Sequence, residues 1–397
     1  MFCKLTFQAL CIFAGVLVTA VPGSGYTERD LAPLLKSTGD IIPDSYIVVL
    51  NDGVTSKDQE QLKYDYGDAV VSSFSGAFKG YTAELDDKSL RQLRSDPNVA
   101  YIEQNGIVTI NAVDDYIEQK NAPWNLDRLS SRKPGSTSYI YHASAGEGTC
   151  VYIVDTGVYA NHPEFGGRAA QIKSFVNQTT DGNGHGTHLA GIIGGKIYGV
   201  AKKTKIYGVK ALDDNGSASI GTIIEAMNFV IEDSKGRDCP KGVMMNLSIG
   251  GSFSRAMNDA AKSVVNAGIF VSVSAGGSNT DAASASPASE PTVCTVGGTD
   301  RSDARASYSN FGKVVDIFAP GTNIISANIR GGTVSLSGTS MSAAHITGMG
   351  AYIAGKEGFP GAEQLCKRLQ DLATRDILTR IPQGTANLLV FNGNPSG

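Results

Sequence analysis

Cys150-Val151-Tyr152-Ile153-Val154-Asp155-Thr156-Gly157 is an apolar run that stops abruptly at an aspartate, a threonine and a glycine. A short continuous apolar run closed by turn residues reads as a strand buried on both faces. A second such run is Gly268-Ile269-Phe270-Val271-Ser272-Val273. Helical stretches lie between and around them, including Ser219 to Glu232 and Arg255 to Asn266. Strands alternating with helices predict an α/β sandwich of three layers around a mostly parallel sheet. In such sheets reactive groups gather at the carboxyl ends of strands, and Asp155 stands at one.

Two distant stretches complete a pattern with that aspartate. Gly184-His185-Gly186-Thr187-His188 supplies histidines among small residues, and Gly338-Thr339-Ser340-Met341 supplies a serine ahead of an apolar helical pattern. A nucleophile, a base that takes its proton and a group that orients the base are what peptide hydrolysis needs. The chain order Asp, His, Ser with these flanking residues resembles the subtilases, and within them the secreted fungal proteinase K-like branch, from about Asn121 to the C-terminus. The resemblance implies Ser340 as nucleophile, His185 as general base and then acid, and Asp155 as the orienting carboxylate. His188 reads as structural. A helix starting at Ser340 would bring backbone N–H groups, its own included, toward a developing oxyanion.

The N-terminus carries Lys4, an apolar run to about Val18 and then Thr19-Ala20. A basic residue, a short apolar core and a small-residue exit describe a secretory signal peptide over residues 1–20. The run is shorter than the roughly 20 apolar residues of a membrane span, so the chain is expected outside the cell and not in a membrane. Once Cys3 and Cys11 leave with the leader, Cys150, Cys239, Cys294 and Cys366 remain. Four cysteines in a secreted chain suggest two bridges, and three pairings are open to them. The resemblance implies Cys150 with Cys239 and Cys294 with Cys366.

Charge is divided unevenly. Residues 21–116 hold 16 acidic and 8 basic side chains, whereas residues 117–397 hold 22 acidic and 25 basic. No clustered basic stripe points to nucleic acid, and opposite balances favour association between the two segments. Within the acidic segment Ser45–Leu50 is a β-branched run, Phe78–Leu85 alternates at the strand period, Leu90 and Leu93 sit at helical spacing before Pro97, and Val99–Glu103 is another strand. Strand, helix, strand, helix, strand from Asp44 to Thr109 resembles the small α+β, ferredoxin-like inhibitor prodomain that precedes subtilases. The expected organisation is a propeptide over residues 21–116, with its inhibitor-like prodomain at about 44–110, and a catalytic domain over 117–397. Residues 111–120, polar and containing Asp114-Asp115, read as an exposed linker cut near Tyr116 or Ile117. The prodomain would serve as an intramolecular inhibitor of a monomer.

Further site residues follow from the resemblance. Asp214-Asn215-Gly216-Ser217-Ala218 and Leu247-Ser248-Ile249-Gly250-Gly251 correspond to segments that flank an extended substrate, with Gly216, Ser217, Ser248, Ile249 and Gly250 against its backbone. The primary specificity pocket would lie between Ser248-Ile249-Gly250 and Ser274-Ala275-Gly276. No acidic residue occurs in either wall, so apolar or aromatic side chains of a protein substrate are expected there. Subtilases place an asparagine, the second oxyanion donor, where this chain has Gly277, and a proline where it has Ala344. Asn279 could replace the donor only in a rearranged loop. The glycine leaves open an alternative, a catalytically impaired binding protein on the same fold. One structural calcium is implied at the carbonyls of Pro291 and Val293 and the carboxylate of Asp316, a donor set of oxygens that suits calcium. Arg132 falls near where a second calcium site of the family has a small oxygen ligand. Asn177, Asn215 and Asn246 begin sequons that could accept glycans.

Overall fold

A computed structural model describes residues 31–37, 41–107 and 115–397; the leader and most of the cut region expected before Tyr116 lie outside the described residues. The chain divides into two compact units, one up to Ala112 and one from Val113.

The first unit runs β1 (Leu34–Leu35), β2 (Ile41–Leu50), α1 (Ser56–Tyr66), β3 (Val70–Ser75), β4 (Lys79–Glu84), α2 (Asp87–Arg94) and β5 (Val99–Gly106). Its sheet has the order β1-β5-β2-β4-β3, with β2 antiparallel to both β5 and β4. Val48, Leu50, Tyr81, Ala83 and Ile102 from the strands meet Leu62, Leu90 and Leu93 from the helices in one small core. Helix α2 starts where its sequence says: the Asp86 side chain accepts from Ser89 N at 2.7 Å, satisfying a donor of the first turn. Strand β3 is an addition to the expected pattern. Only Val70 and Phe74 in it are even half-buried, so its alternation is too weak to read as a strand by period.

The second unit opens with β6 (Tyr116–Lys120), α3 (Trp124–Ser130), β7 (Ser138–His142) and β8 (Cys150–Asp155). The expectation of an exposed linker through Lys120 needs correction there. β6 pairs antiparallel with β7, Tyr116 opposite His142, so ladder bonds fix a segment whose side chains alone look like a connector. There follow β9 (Ala169–Ser174), α4 (His185–Gly194), β10 (Lys205–Lys210), α5 (Ile220–Ser234), β11 (Val243–Leu247), β12 (Gly251–Ser252), α6 (Arg255–Asn266), β13 (Phe270–Ser274), β14 (Ala285–Ser286), β15 (Cys294–Thr299), β16 (Ile317–Pro320), β17 (Ile324–Ala327), β18 (Thr333–Leu336), α7 (Thr339–Glu357), α8 (Ala362–Leu372), β19 (Thr374–Arg375) and β20 (Leu388–Leu389).

Nine of these strands form one sheet in the order β19-β20-β16-β15-β13-β11-β8-β10-β9, parallel throughout except for the β19–β20 pair. Strand β8, flanked by β11 and β10, shows how the layers arise. Successive side chains point to opposite faces, so Val151 and Ile153 enter a core with α4 and α7 while Tyr152 and Val154 enter one with α5 and α6. Helix on sheet on helix is the three-layer sandwich that the alternating pattern predicts. Helix α7 is apolar nearly all round, with Met341 to Gly355 buried, as befits a helix that passes through the interior rather than along the surface. Its first turn therefore reaches the carboxyl ends of the central strands. Among the described residues no helix is long and apolar enough to cross a membrane.

Candidate active site

Three elements carry the three side chains of the expected triad. Asp155 is the last residue of β8 and is fully buried. His185 is the first residue of α4, and Ser340 the second of α7. The close approach of α4 to β8 depends on Gly186: a Cβ there would stand 2.1 Å from the carbonyl oxygen of Gly157. His185 Nδ1 lies 2.8 Å from Asp155 Oδ1, which also accepts from Thr156 N at 2.7 Å. Burial opposes a charge on this imidazole. The Asp155 carboxylate more than offsets it by charge and by hydrogen bond, with help from Asp181, and the pKa of His185 rises above its ordinary value. With Nδ1–H held by a carboxylate, Nε2 is the free base that a proton-abstraction step needs.

Ser340 Oγ donates to the carbonyl of Ser248 at 3.2 Å, while Ser248 Oγ donates to the carbonyl of Ser340 at 2.9 Å. These bonds tie the first turn of α7 to the residue just past β11. Hydrogen bonds of a catalytic serine commonly reorganise when substrate seats, so the resting partner does not define its reactive one. The N-terminal end of the α7 dipole places positive potential around Ser340.

Two adjoining clefts flank these groups. One, of about 590 Å3, is lined by Thr156, Asn183, His185, Leu212, Gly216, Ser217, Ala218, Ile220, Ile223, Ser248, Ile249, Gly250, Gly251 and Met257. The other, of about 530 Å3, includes Ser248, Gly250, Gly251, Ser274, Ala275, Gly276, Gly277, Ser278, Thr280, Asn310, Thr339 and Ser340. All eight residues expected to line a substrate path thus border one cleft or the other, and among the described residues no acidic side chain lines either. Gly277 lies in the second cleft beside Ser340, with nothing within 4 Å of where a Cβ would stand. Asn279 does not replace the missing amide. Its backbone is in the left-handed region (φ 54°), its N–H is spent on the carbonyl of Tyr308 at 2.9 Å, and it is not among the lining residues.

The loop that carries Gly277 is held by Asn310, which the sequence reading passed over. Its buried amide oxygen accepts from Ser278 N at 3.0 Å and Thr280 N at 3.1 Å, and its Nδ2 donates to Ala275 O at 2.9 Å. Asp181 was passed over too. Single polar residues in glycine-rich loops fasten backbone without any periodic signature, and their residue type is the one available signal.

His188 and His345 form a buried pair of neutral imidazoles around the site. His188 Nε2 faces the carbonyls of Ile324 and Val334 at 3.0 and 3.2 Å, and His345 bridges the Met341 carbonyl and Asn125 Nδ2, each at 2.8 Å. Burial pulls both pKa values from 6.5 down to about 4. The unfolded chain takes up these protons near pH 6.5, whereas the folded one resists to about pH 4. Stability should therefore fall as the pH drops from about 6.5 to about 4, by on the order of 3 kcal/mol for each histidine, and level off below. His185, whose pKa is raised, works in the opposite sense but is one group against two. Denaturant melts at pH 7, 5.5 and 4 would check this; a flat midpoint would contradict it.

Cys150 is joined to Cys239 and Cys294 to Cys366, with Cα–Cα distances of 5.6 and 5.7 Å. Pro291, Val293 and Asp316 line a cavity of about 340 Å3 with Glu363, Gln364, Lys367 and Gln370. Asp316 Oδ2 accepts from Thr295 N at 2.8 Å, and Oδ1 lies 3.3 Å from Gln370 Nε2. Burial lifts this carboxyl to about 6, the mark of an anion short of a counter-charge. The neighbouring sulfurs of Cys294 and Cys366 are spent on each other, so carbonyl and carboxylate oxygens are the donors left, a set that fits a hard divalent cation. Arg132, by contrast, puts its guanidinium 3.2 Å from both Thr374 Oγ1 and the Leu372 carbonyl and 4.0 Å over the Phe391 ring. Of the sequons, Asn177 and Asn215 are exposed. Asn246 must be corrected: it is wholly buried, its amide bonded to Ser248 Oγ and Thr347 Oγ1, and no glycan could be seated there.

Comparison with known proteins shows what the chain is similar to. Residues 146–380 match the Subtilase family, and residues 45–111 match the Peptidase inhibitor I9 family. The subtilisin-like serine protease AsES of Sarocladium strictum is 52% identical over 94% of this chain and 96% of its own. The cuticle-degrading protease of Metarhizium anisopliae is 47% identical over 95% and 97%, and proteinase R of Parengyodontium album 48% over 91% and 92%. Among solved structures, a cold adapted subtilisin-like serine proteinase superposes with a TM-score of 0.65 at 38% identity, covering 69% of this chain and 99% of that one.

Proposed function

The chain belongs to the subtilase family, and on that premise we propose that it is a secreted serine endopeptidase whose triad is Asp155, His185 and Ser340. The observation that carries this reading is the 2.8 Å bond from His185 to a buried Asp155, at a cleft that adjoins the one lined by Ser340. Ser340 Oγ attacks the scissile carbonyl while His185 Nε2 takes its proton; the same imidazole then hands that proton to the leaving amine, and water repeats the cycle on the acyl-enzyme. Asp155 keeps Nδ1 protonated and favours the imidazolium that forms. The oxyanion is met by the Ser340 N–H and the start of α7, and Gly277 offers it no side chain.

An extended substrate would lie between Gly216-Ser217 and Ser248-Ile249-Gly250, with an apolar or aromatic side chain entering between Ile249-Gly250 and Ser274-Ala275-Gly276. The absence of acidic residues from both linings supports that preference over Arg or Lys. The first unit would act as inhibitor and folding aid in a monomeric precursor cut near Tyr116 by the enzyme itself, and Asn177 would be the most accessible glycan acceptor. Pro291, Val293 and Asp316 would hold one calcium ion, which supplies charge neutralisation for Asp316 and ties β16 to the loop before β15. Chelation should then lower Tm by about 5–10 °C, whereas Asp316→Asn should make Tm indifferent to calcium; an unchanged Tm on chelation of the native chain would remove the ion from the reading.

A fluorophosphonate probe, applied to the secreted protein from a protease-deficient host, tests the proposal. Labelling at Ser340 in a chain starting near Ile117 is expected. No labelling, with the precursor still joined across Tyr116, would favour the second reading that Gly277 keeps open, a binding protein with an impaired site.

A further inference from the structure

Directly behind the triad runs a closed ring of polar contacts that the chemistry above does not use. Asp181, only 8% exposed, accepts five hydrogen bonds. Its Oδ1 takes Thr156 Oγ1 at 2.9 Å, Asn183 N at 3.2 Å and Gly184 N at 2.7 Å. Its Oδ2 takes Thr187 N at 3.0 Å and Thr187 Oγ1 at 2.6 Å. Thr156 adjoins Asp155, Gly184 precedes His185, and Thr187 lies in the first turn of α4. Thr156 Oγ1 also accepts from Gly186 N at 3.0 Å. On the outer side Lys210, fully buried, donates to Thr156 O at 2.8 Å and to Asp214 Oδ1 at 2.7 Å. Asp214 closes the ring by accepting from Gly182 N at 3.2 Å and, through its carbonyl, from Asn183 Nδ2 at 3.0 Å.

Resting on the triad reading, we infer that Asp181 is a positioning residue for catalysis, which locks the chain on both sides of His185 to the chain beside Asp155 and holds a second negative charge behind the imidazole. Only a carboxylate can do both. Its two oxygens offer about four lone-pair sites, whereas an amide would turn an NH2 group toward donors at one end or the other. The surrounding charges allow the field to act. Asp155 faces His185 from β8 and Asp181 from the loop before α4; the Lys210 ammonium is paired with Asp214, and His188 on the same helix is kept neutral by burial. Burial lowers the pKa of His185, and the charges of Asp155 and then Asp181 reverse that effect. The geometry matters as much as the charge, since small displacements of a reacting group cost large factors in rate.

The test uses the processed full-length enzyme with a chromogenic peptide substrate. Labelling of the wild type at Ser340 is established first; its failure would sink the triad reading itself and is a separate outcome. Given a labelled wild type, Asp181→Asn should lower kcat by about 10- to 100-fold with KM little changed. It should also move the acid limb of the kcat/KM profile downward by several tenths of a pH unit. Thr156→Val removes one strut and keeps the charge, so kcat should fall with the acid limb in place. A purely structural Asp181 would alter melting while leaving the acid limb of the folded fraction where it was, and that result overturns the inference. If Asp181→Asn does not accumulate folded, Thr156→Val decides: wild-type kcat in that variant likewise overturns it.

Discussion

Ser340→Ala is expected to cut kcat by about a millionfold, the size of effect found for the nucleophile in subtilisin, equivalent to roughly 8 kcal/mol of barrier. The reason is mechanistic rather than additive. In the proposed mechanism His185 and Asp155 act only through the oxygen that His185 deprotonates, so removing it would idle both. What remains is the binding cleft and the start of α7, and that remainder should be smaller here than in relatives with a side-chain oxyanion donor. The same substitution should leave the precursor uncleaved near Tyr116, because the bond there would be the enzyme's first substrate. Intact-mass measurement of protein from a protease-free host reads this directly. A fully processed alanine variant would show that another protease matures the chain.

Gly277→Asn is expected to raise kcat by about 100- to 1000-fold, the inverse of what losing this donor does in subtilisin. The structure has room for the change. Gly277 lies outside the left-handed region, nothing stands within 4 Å of its added Cβ, and it borders the same cleft as Ser340. Its loop is already fixed by Asn310 on both sides, so a new amide would be introduced on a preorganised backbone. KM should change little, because a donor aimed at the oxyanion binds the transition state more than the ground state. An unchanged kcat would mean that a group such as the Ser278 hydroxyl or a backbone N–H already meets the oxyanion.

The parts legible in the sequence are those with a period or a dense local signature. Buried strands such as β8 and the amphipathic α6 show in their spacing, and α6 begins and ends where the pattern puts it, at Arg255 and Asn266. Asp155, His185 and Ser340 stand out as residues in glycine-rich settings; in the structure Asp155 bonds His185, and His185 and Ser340 line two adjoining clefts. What stayed hidden is what long-range contact alone creates. β3 and β6 carry little alternation and exist because a partner strand supplies their hydrogen bonds. Asn246 begins a sequon that could accept a glycan as far as the sequence goes, because burial is not written in an Asn-Leu-Ser triplet. Asp181 and Asn310 fasten loops through donors from distant positions, which no window of sequence displays.

The placement of the nucleophile on the buried α7 also orders events in time. During synthesis Asp155 and His185 leave the ribosome well before residue 340, and the helix bearing Ser340 needs β11, β13, β15 and β16 as its bed. A nascent or truncated chain therefore carries a cleft wall and a base but no weapon. On the proposed triad, the order of the chain itself would withhold activity until the strands under α7 and the helix itself have been made.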